Sequence, residues 1–230
     1  MTRRRFPVGK TLLYVFMSLW ALTTIYPFIW VILNSFKPRG LIRSDTFSLP
    51  IGDKFTLENY VTAFKRVDIG TAYVNSIVIS GAVTVVVMVL AGLAAYAMVR
   101  YSFRLRGFLH SMIIASMMFP VFSTIIPVFR MESSWGIVNT GSIWLTRLSV
   151  VLPQIAGNLS FAIIVLMGFI RSLPVDLEEA AYLEGYNVYQ IFFRIIMPLA
   201  KPSFATVGIF TFLWSYNDLF LQMFFLRSKK

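Results

Sequence analysis

Five long apolar runs, separated by short polar segments, dominate the chain: 11–33, 73–98, 107–129, 148–170 and 203–226. Each reaches the roughly 20 residues that an α-helix needs to cross the hydrocarbon of a bilayer. None contains Lys, Arg or Glu, and Asp218 is the only acid inside them. Runs of this length read as spanning helices, because a lipid-exposed segment must satisfy its own backbone hydrogen bonds. Tyr14, Trp30, Tyr96, Phe108 and Trp144 stand near the ends, where aromatic rings suit the headgroup region. The pattern predicts an all-α polytopic membrane bundle. It divides into a tail at 1–10, a first span at 11–33, a polar loop at 34–72 and a core at 73–230. The core carries a polar loop at 171–202 between its last two runs. Pro120, Pro127 and Pro153 are expected to kink the helices that hold them.

Composition sharpens this reading. Of 230 residues 57% are hydrophobic and only 13% are charged, about half the charge of a soluble domain. A net charge of +11 would suggest nucleic acid in a soluble protein. Here the basic residues flank the apolar runs, as membrane-anchoring charge does, so the expected partner is the lipid membrane and not nucleic acid. There is no cysteine and a single histidine, His110, so no metal site or cysteine nucleophile is expected. Val8-Gly9-Lys10-Thr11 ends like a phosphate-binding loop, but its required first glycine is Arg4 and a span comes directly after. Arg3-Arg4-Arg5 loosely resembles an export signal. The apolar stretch behind it is too long for a signal and lacks a cleavage site, so an uncleaved first span is expected.

The loop at 171–202 concentrates turn and cap chemistry. Asp176 is a candidate N-cap with Glu179 completing a capping box. Gly185 stands where a left-handed helix stop is needed. Asn187 is a second candidate cap with Gln190 at the matching position, and Pro198 and Pro202 interrupt the helix that it starts. A short helix, a tight bend and a second helix are expected. Leu177, Ala180, Ala181 and Glu184 share one helical face by spacing, and the two alanines would let another surface approach closely. A plain interfacial connector fits the same spacing.

Glu179-Ala180-Ala181, Gly185, Ile195 and Met197-Pro198 resemble the EAA loop of ABC importer permeases, E-A-A-x3-G-x9-I-x-L-P, with Met197 for the usual Leu. Further similarity to the carbohydrate branch, closest to the maltose-permease G-type subunits, extends over nearly the whole chain. It is carried by Phe55-Thr56-Leu57-Glu58-Asn59-Tyr60, Asn75-Ser76, Ala94-Ala95-Tyr96-Ala97, Gly136-Ile137-Val138-Asn139-Thr140 and Leu173-Pro174. The resemblance implies a transport subunit of the bacterial inner membrane, not an enzyme. It implies a second permease subunit, two ATPase subunits that bind ATP and Mg on their own chains, and an extracytoplasmic solute-binding protein. Glu179, Ala180, Ala181, Gly185, Ile195 and Pro198 would form the ATPase-coupling element, and this chain would bind no cofactor. The resemblance places the loop and the N-terminus in the cytoplasm, an orientation that basic residues in the short loops favour only weakly. Such subunits have a sixth span; its apparent absence after Leu226 suggests a truncated chain.

Polar side chains inside spans are functional candidates. Gln154 and Asn158 would lie about 9 and 15 Å deep, and Asn217 and Asp218 about 12 to 14 Å deep, from the same side. With Trp214 they would line a sugar path, the ring stacking on the sugar and the amides meeting hydroxyls. The competing reading is interhelical hydrogen bonding. The expected function is ATP-driven import of sugars or oligosaccharides. Import of another solute such as a polyol phosphate, an ion-coupled transporter, and a non-transporting membrane anchor are the alternatives.

Overall fold

The computed structural model describes residues 8–138 and 140–226. Asn139, Arg3 to Arg5 and the tail at 227–230 lie outside the described residues. The chain divides into two compact units, Met1–Ala72 and Tyr73–Lys230.

The first unit holds α1 (Val8–Ser35), α2 (Arg39–Ser44), a single 3-10 turn (Gly52–Lys54) and α3 (Glu58–Arg66). Of the residues in α1 only Asn34 is buried, as suits a helix whose solvent is lipid. Its polar groups close on the helix itself: the hydroxyls of Thr23 and Thr24 donate to the Trp20 carbonyl at 2.8 and 3.0 Å. The segment after α1, read from sequence as polar turns, gathers a half-exposed aromatic cluster. Phe36 stacks on Phe55 and lies tilted against Tyr60, with ring centroids 5.6 and 5.4 Å apart. Lys37 is fully buried, and its Nζ donates to the carbonyls of Asp45 and Thr46 at 3.0 and 2.8 Å. Asn59 Nδ2 donates to the carbonyls of Ser35 and Lys37. Buried polar groups without such partners would be costly.

The second unit holds most of α4 (Ile69–Arg100), then α5 (Arg106–Ser116), α6 (Val121–Ser134) and α7 (Ile143–Ser172). After these come α8 (Asp176–Leu183), α9 (Val188–Ile191), a π turn (Phe192–Ile196), α10 (Met197–Leu199), α11 (Lys201–Tyr216) and α12 (Phe220–Phe225). Among the described residues, α1, α4 and α7 are long and apolar enough to cross a membrane. The number is five if each of two bent helix pairs makes one span.

The core runs along stripes at helical spacing. Val83, Val87, Ala91 and Ala95 form a fully buried row on α4, and Ala162, Leu166 and Ile170 form another on α7. The main partner of α7 is α11. Small residues on α4 admit large ones: a Cβ on Gly92 would stand 2.8 Å from Phe204 and 2.9 Å from Phe192, closer than any real contact.

Two of the five expected spans are not continuous. The run at 107–129 breaks into α5 and α6, with a bend of 105° between them. Pro120 stands at the start of α6 with extended backbone (φ −68°, ψ 127°). Proline gives no amide to continue a helix and biases its predecessor away from helical geometry, so the expected kink is a full break. The run at 203–226 ends its helix at Tyr216, where Asn217 and Asp218 turn the chain before α12. Asp218 Oδ1 accepts from the Leu221 amide at 3.0 Å, a local bond that competes with helix continuation. On its other side α11 begins at Lys201, bent by 82° from the stretch Val188–Leu199.

Candidate functional site

The loop between α7 and α11 is built from local rules. Its first helix, α8, begins with helical backbone already at Val175 (φ −70°, ψ −28°), and no side chain caps it. Asp176 is therefore inside the first turn rather than at the cap, and the expected capping box with Glu179 does not form. The acids still favour the positive end of the helix, since Asp176, Glu178 and Glu179 all lie in its first turn.

The stop of α8 comes from Gly185. Its φ is +87°, the left-handed region that glycine enters without steric cost. Two bonds close the helix over it: the Gly185 amide donates to the Tyr182 carbonyl and the Tyr186 amide to the Ala181 carbonyl, both at 3.0 Å. Asn187 then caps α9 in a full capping box. The Gln190 amide donates to Asn187 Oδ1 at 2.9 Å, and the Asn187 amide donates to Gln190 Oε1 at 2.8 Å. The π turn beyond α9 buries Phe192 and Ile196 completely. Ile195 is half-buried and Pro198 exposed.

The two faces of α8 differ. Glu179 and Ala180 are exposed, and Leu183 is 90% exposed. Ala181 and Glu178 are buried, so the spacing argument that put both alanines on one open face is half corrected: Ala181 packs inward. Glu178 makes the contact that sequence reading missed. Its Oε1 lies 2.5 Å from Arg100 Nε, and its Oε2 accepts from the Tyr96 hydroxyl at 2.7 Å. Arg100 Nη2 also donates to the Leu173 carbonyl at 2.9 Å. The signal for it in the sequence was Tyr96 and Arg100 four residues apart on one face of a span end.

The second group of candidates lies among the spans. Ser215, which sequence reading passed over, donates to Gln154 Oε1 at 2.5 Å. Gln154 Nε2 donates to Asp218 Oδ2 at 3.3 Å. Gln154 and Asp218 thus come together across α7 and the turn after α11. Asn158 is buried one turn along α7, its Nδ2 donating to the Gln154 carbonyl. Trp214 and Asn217 stay outside this network. Trp214 packs edge-on against Phe161 at 4.9 Å, and Asn217 Nδ2 donates to the Leu213 carbonyl.

Comparison with known proteins agrees with this architecture. Residues 88–229 match the family described as binding-protein-dependent transport system inner membrane component. The chain is 35% identical over 210 residues to the diacetylchitobiose uptake system permease protein NgcG of Streptomyces coelicolor, covering 91% of this chain and 67% of the relative. It is 33% identical over 205 residues to the trehalose transport system permease protein SugB of Mycobacterium tuberculosis, covering 89% of this chain and 72% of that one. The fold resembles a chain of a bacterial ABC transporter involved in import of the acidic polysaccharide alginate. That match has TM-score 0.81 and 24% identity, over 99% of this chain and 78% of the other. By its sequence and its helical architecture, this chain belongs to the inner-membrane components of binding-protein-dependent transport systems.

Proposed function

We propose that the chain is a permease subunit of an ATP-driven sugar importer, and that the loop carrying α8 docks on a cytoplasmic ATPase. The observation that carries the docking reading is Leu183: nearly fully exposed on a helix stopped sharply at Gly185, beside exposed Glu179 and Ala180. An apolar side chain projecting from a short helix suits insertion into a groove on a partner, the helix-in-groove mode of recognition. The N-terminus and the loop then share the cytoplasmic side. ATP and Mg sit on the partner ATPase, and a second permease subunit and an extracytoplasmic binding protein complete the machine. The names of the relatives, which mention diacetylchitobiose and trehalose, support sugars as the solute class.

For the polar residues of the spans, the bonds among Gln154, Ser215 and Asp218 favour interhelical fastening over an open solute path. Trp214 and Asn217, which lie outside those bonds, are the better candidates for solute contact.

The test is co-expression with the ATPase subunit of the transporter. Glu179→Lys and Gly185→Val are expected to release the ATPase while the chain stays in the membrane. Uptake of labelled diacetylchitobiose and trehalose by cells should fall with it. Undiminished recovery of the ATPase together with normal uptake rejects the docking role.

A further inference from the structure

We propose that Glu178, Arg100 and Tyr96 form an internal strut that joins α8 and the loop end of α4 into one mechanical body. Displacement applied to the exposed face of α8 is then delivered to α4. This deepens the docking reading above and rests on it.

The geometry is that of a rigid joint. Both carboxylate oxygens of Glu178 are spent inside the chain, one on Arg100 and one on Tyr96. Arg100 forks, holding Glu178 with Nε and the Leu173 carbonyl with Nη2. It therefore grips α8 and also the backbone that leads into it. A second tie lies beside the first, where the hydroxyls of Tyr101 and Tyr182 meet at 3.1 Å. The α4 end of the joint is itself fixed: the Tyr96 ring packs 5.7 Å from Phe192 of the π turn, and Gly92 admits both Phe192 and Phe204.

Neighbouring acids on α8 divide the work. Glu178 is buried and tied inward, while Glu179 is exposed on a helix only eight residues long. A push on the outer face of so short a rod reaches its inner face with little room for bending. Rigid-body motion of packed elements is the usual form of such transmission.

The chain contains no cysteine, so paired spin labels can be placed at Glu184→Cys and Ser102→Cys without background from this subunit. Distances are read in the assembled transporter in lipid vesicles, nucleotide-free and with ATP plus vanadate. In the native joint, one narrow distance is expected, the same in both states. The test variant is Arg100→Met with Glu178→Leu, which removes both charges and leaves neither buried alone. It is expected to stay inserted and to keep the ATPase, while the distance broadens without nucleotide and shifts when ATP and vanadate are added. Uptake of diacetylchitobiose or trehalose, whichever the native transporter carries, should drop tenfold or more with hydrolysis retained. Tyr96→Phe, which spares the ion pair, is expected to keep the narrow distance.

A native distance that changes with nucleotide overturns the proposal, as does a double variant that keeps the native distance. Release of the ATPase by the double variant overturns it too, since the joint would then serve only to shape the docking face. Failure of the docking reading is recognised separately. If Glu179→Lys leaves ATPase recovery and uptake unchanged, the loop carries no force and transmission through the strut is refuted, whatever the nucleotide-free distance.

Discussion

Two ion pairs hold the described parts of this chain, and they are chemically alike but physically unequal. Lys54 and Asp45 meet at 2.7 Å with side chains 38% and 43% exposed. Arg100 and Glu178 meet at 2.5 Å with side chains 11% and 5% exposed. The first joins residues nine apart within one loop, and the second joins residues 78 apart on separate helices. Water and salt screen the exposed pair, so its loss is nearly free. The buried pair has already surrendered its hydration, so removing one member strands the other. Distance alone would rank them as equals; burial ranks them correctly, and it also identifies which one spans the architecture.

The largest expected effect is from Glu178→Gln, which leaves the Arg100 charge buried without its counter-ion. A loss of about 3 to 5 kcal/mol is expected, read as a lowered unfolding midpoint of the purified complex in detergent. Restoring neutrality with Arg100→Met and Glu178→Leu should recover most of it. If the single variant costs no more than a surface substitution, the contrast between the pairs is wrong.

A smaller loss separates charged from neutral joints. Gln154→Leu removes the bonds to Ser215 and Asp218, and about 0.6 to 2 kcal/mol is expected from the same unfolding measurement. A loss as large as that of Glu178→Gln would show that the amide network, not the ion pair, fastens the unit.

Gly185→Ala tests backbone conformation without crowding, because an added Cβ meets nothing within 4 Å. A left-handed alanine costs roughly 1 to 2 kcal/mol, and local amide exchange at Tyr186 should report it while exchange in α4 stays unchanged.

The smallest effect is expected from Asp45→Asn. The hydrogen bond from Lys54 holds the Asp45 carboxyl below its ordinary value. A depressed carboxylate contributes stability above its unfolded pKa and loses that contribution as pH falls through the folded one. The difference between native and Asp45→Asn chains should therefore be slight near neutrality, vanish in acid and shrink with salt.

The features legible in the sequence were those that local rules decide. The apolar runs located α1, α4 and α7, because lipid leaves the backbone no alternative to a helix. Gly185, and Asn187 with Gln190, were legible because turns and caps obey short-range spacing. Pro120 was visible, but whether a proline kinks a helix or ends it depends on surrounding packing. Asp176 has cap chemistry, yet helical backbone already begins at Val175, a one-residue difference that spacing does not resolve. Glu178 was passed over because its partners lie on α4, and nothing local links residues so far apart in the chain. Ser215 escaped for the same reason, since its importance comes from facing Gln154 across two helices.

The proposed docking makes α8 the outward face of a loop anchored from within. Its most direct test is recovery of the ATPase subunit with tagged chains carrying Leu183→Asp, measured at equal membrane content. Loss of the ATPase from Leu183→Asp, with full recovery on the Arg100→Met and Glu178→Leu chain, is the expected result. Equal recovery on native and Leu183→Asp chains would contradict it.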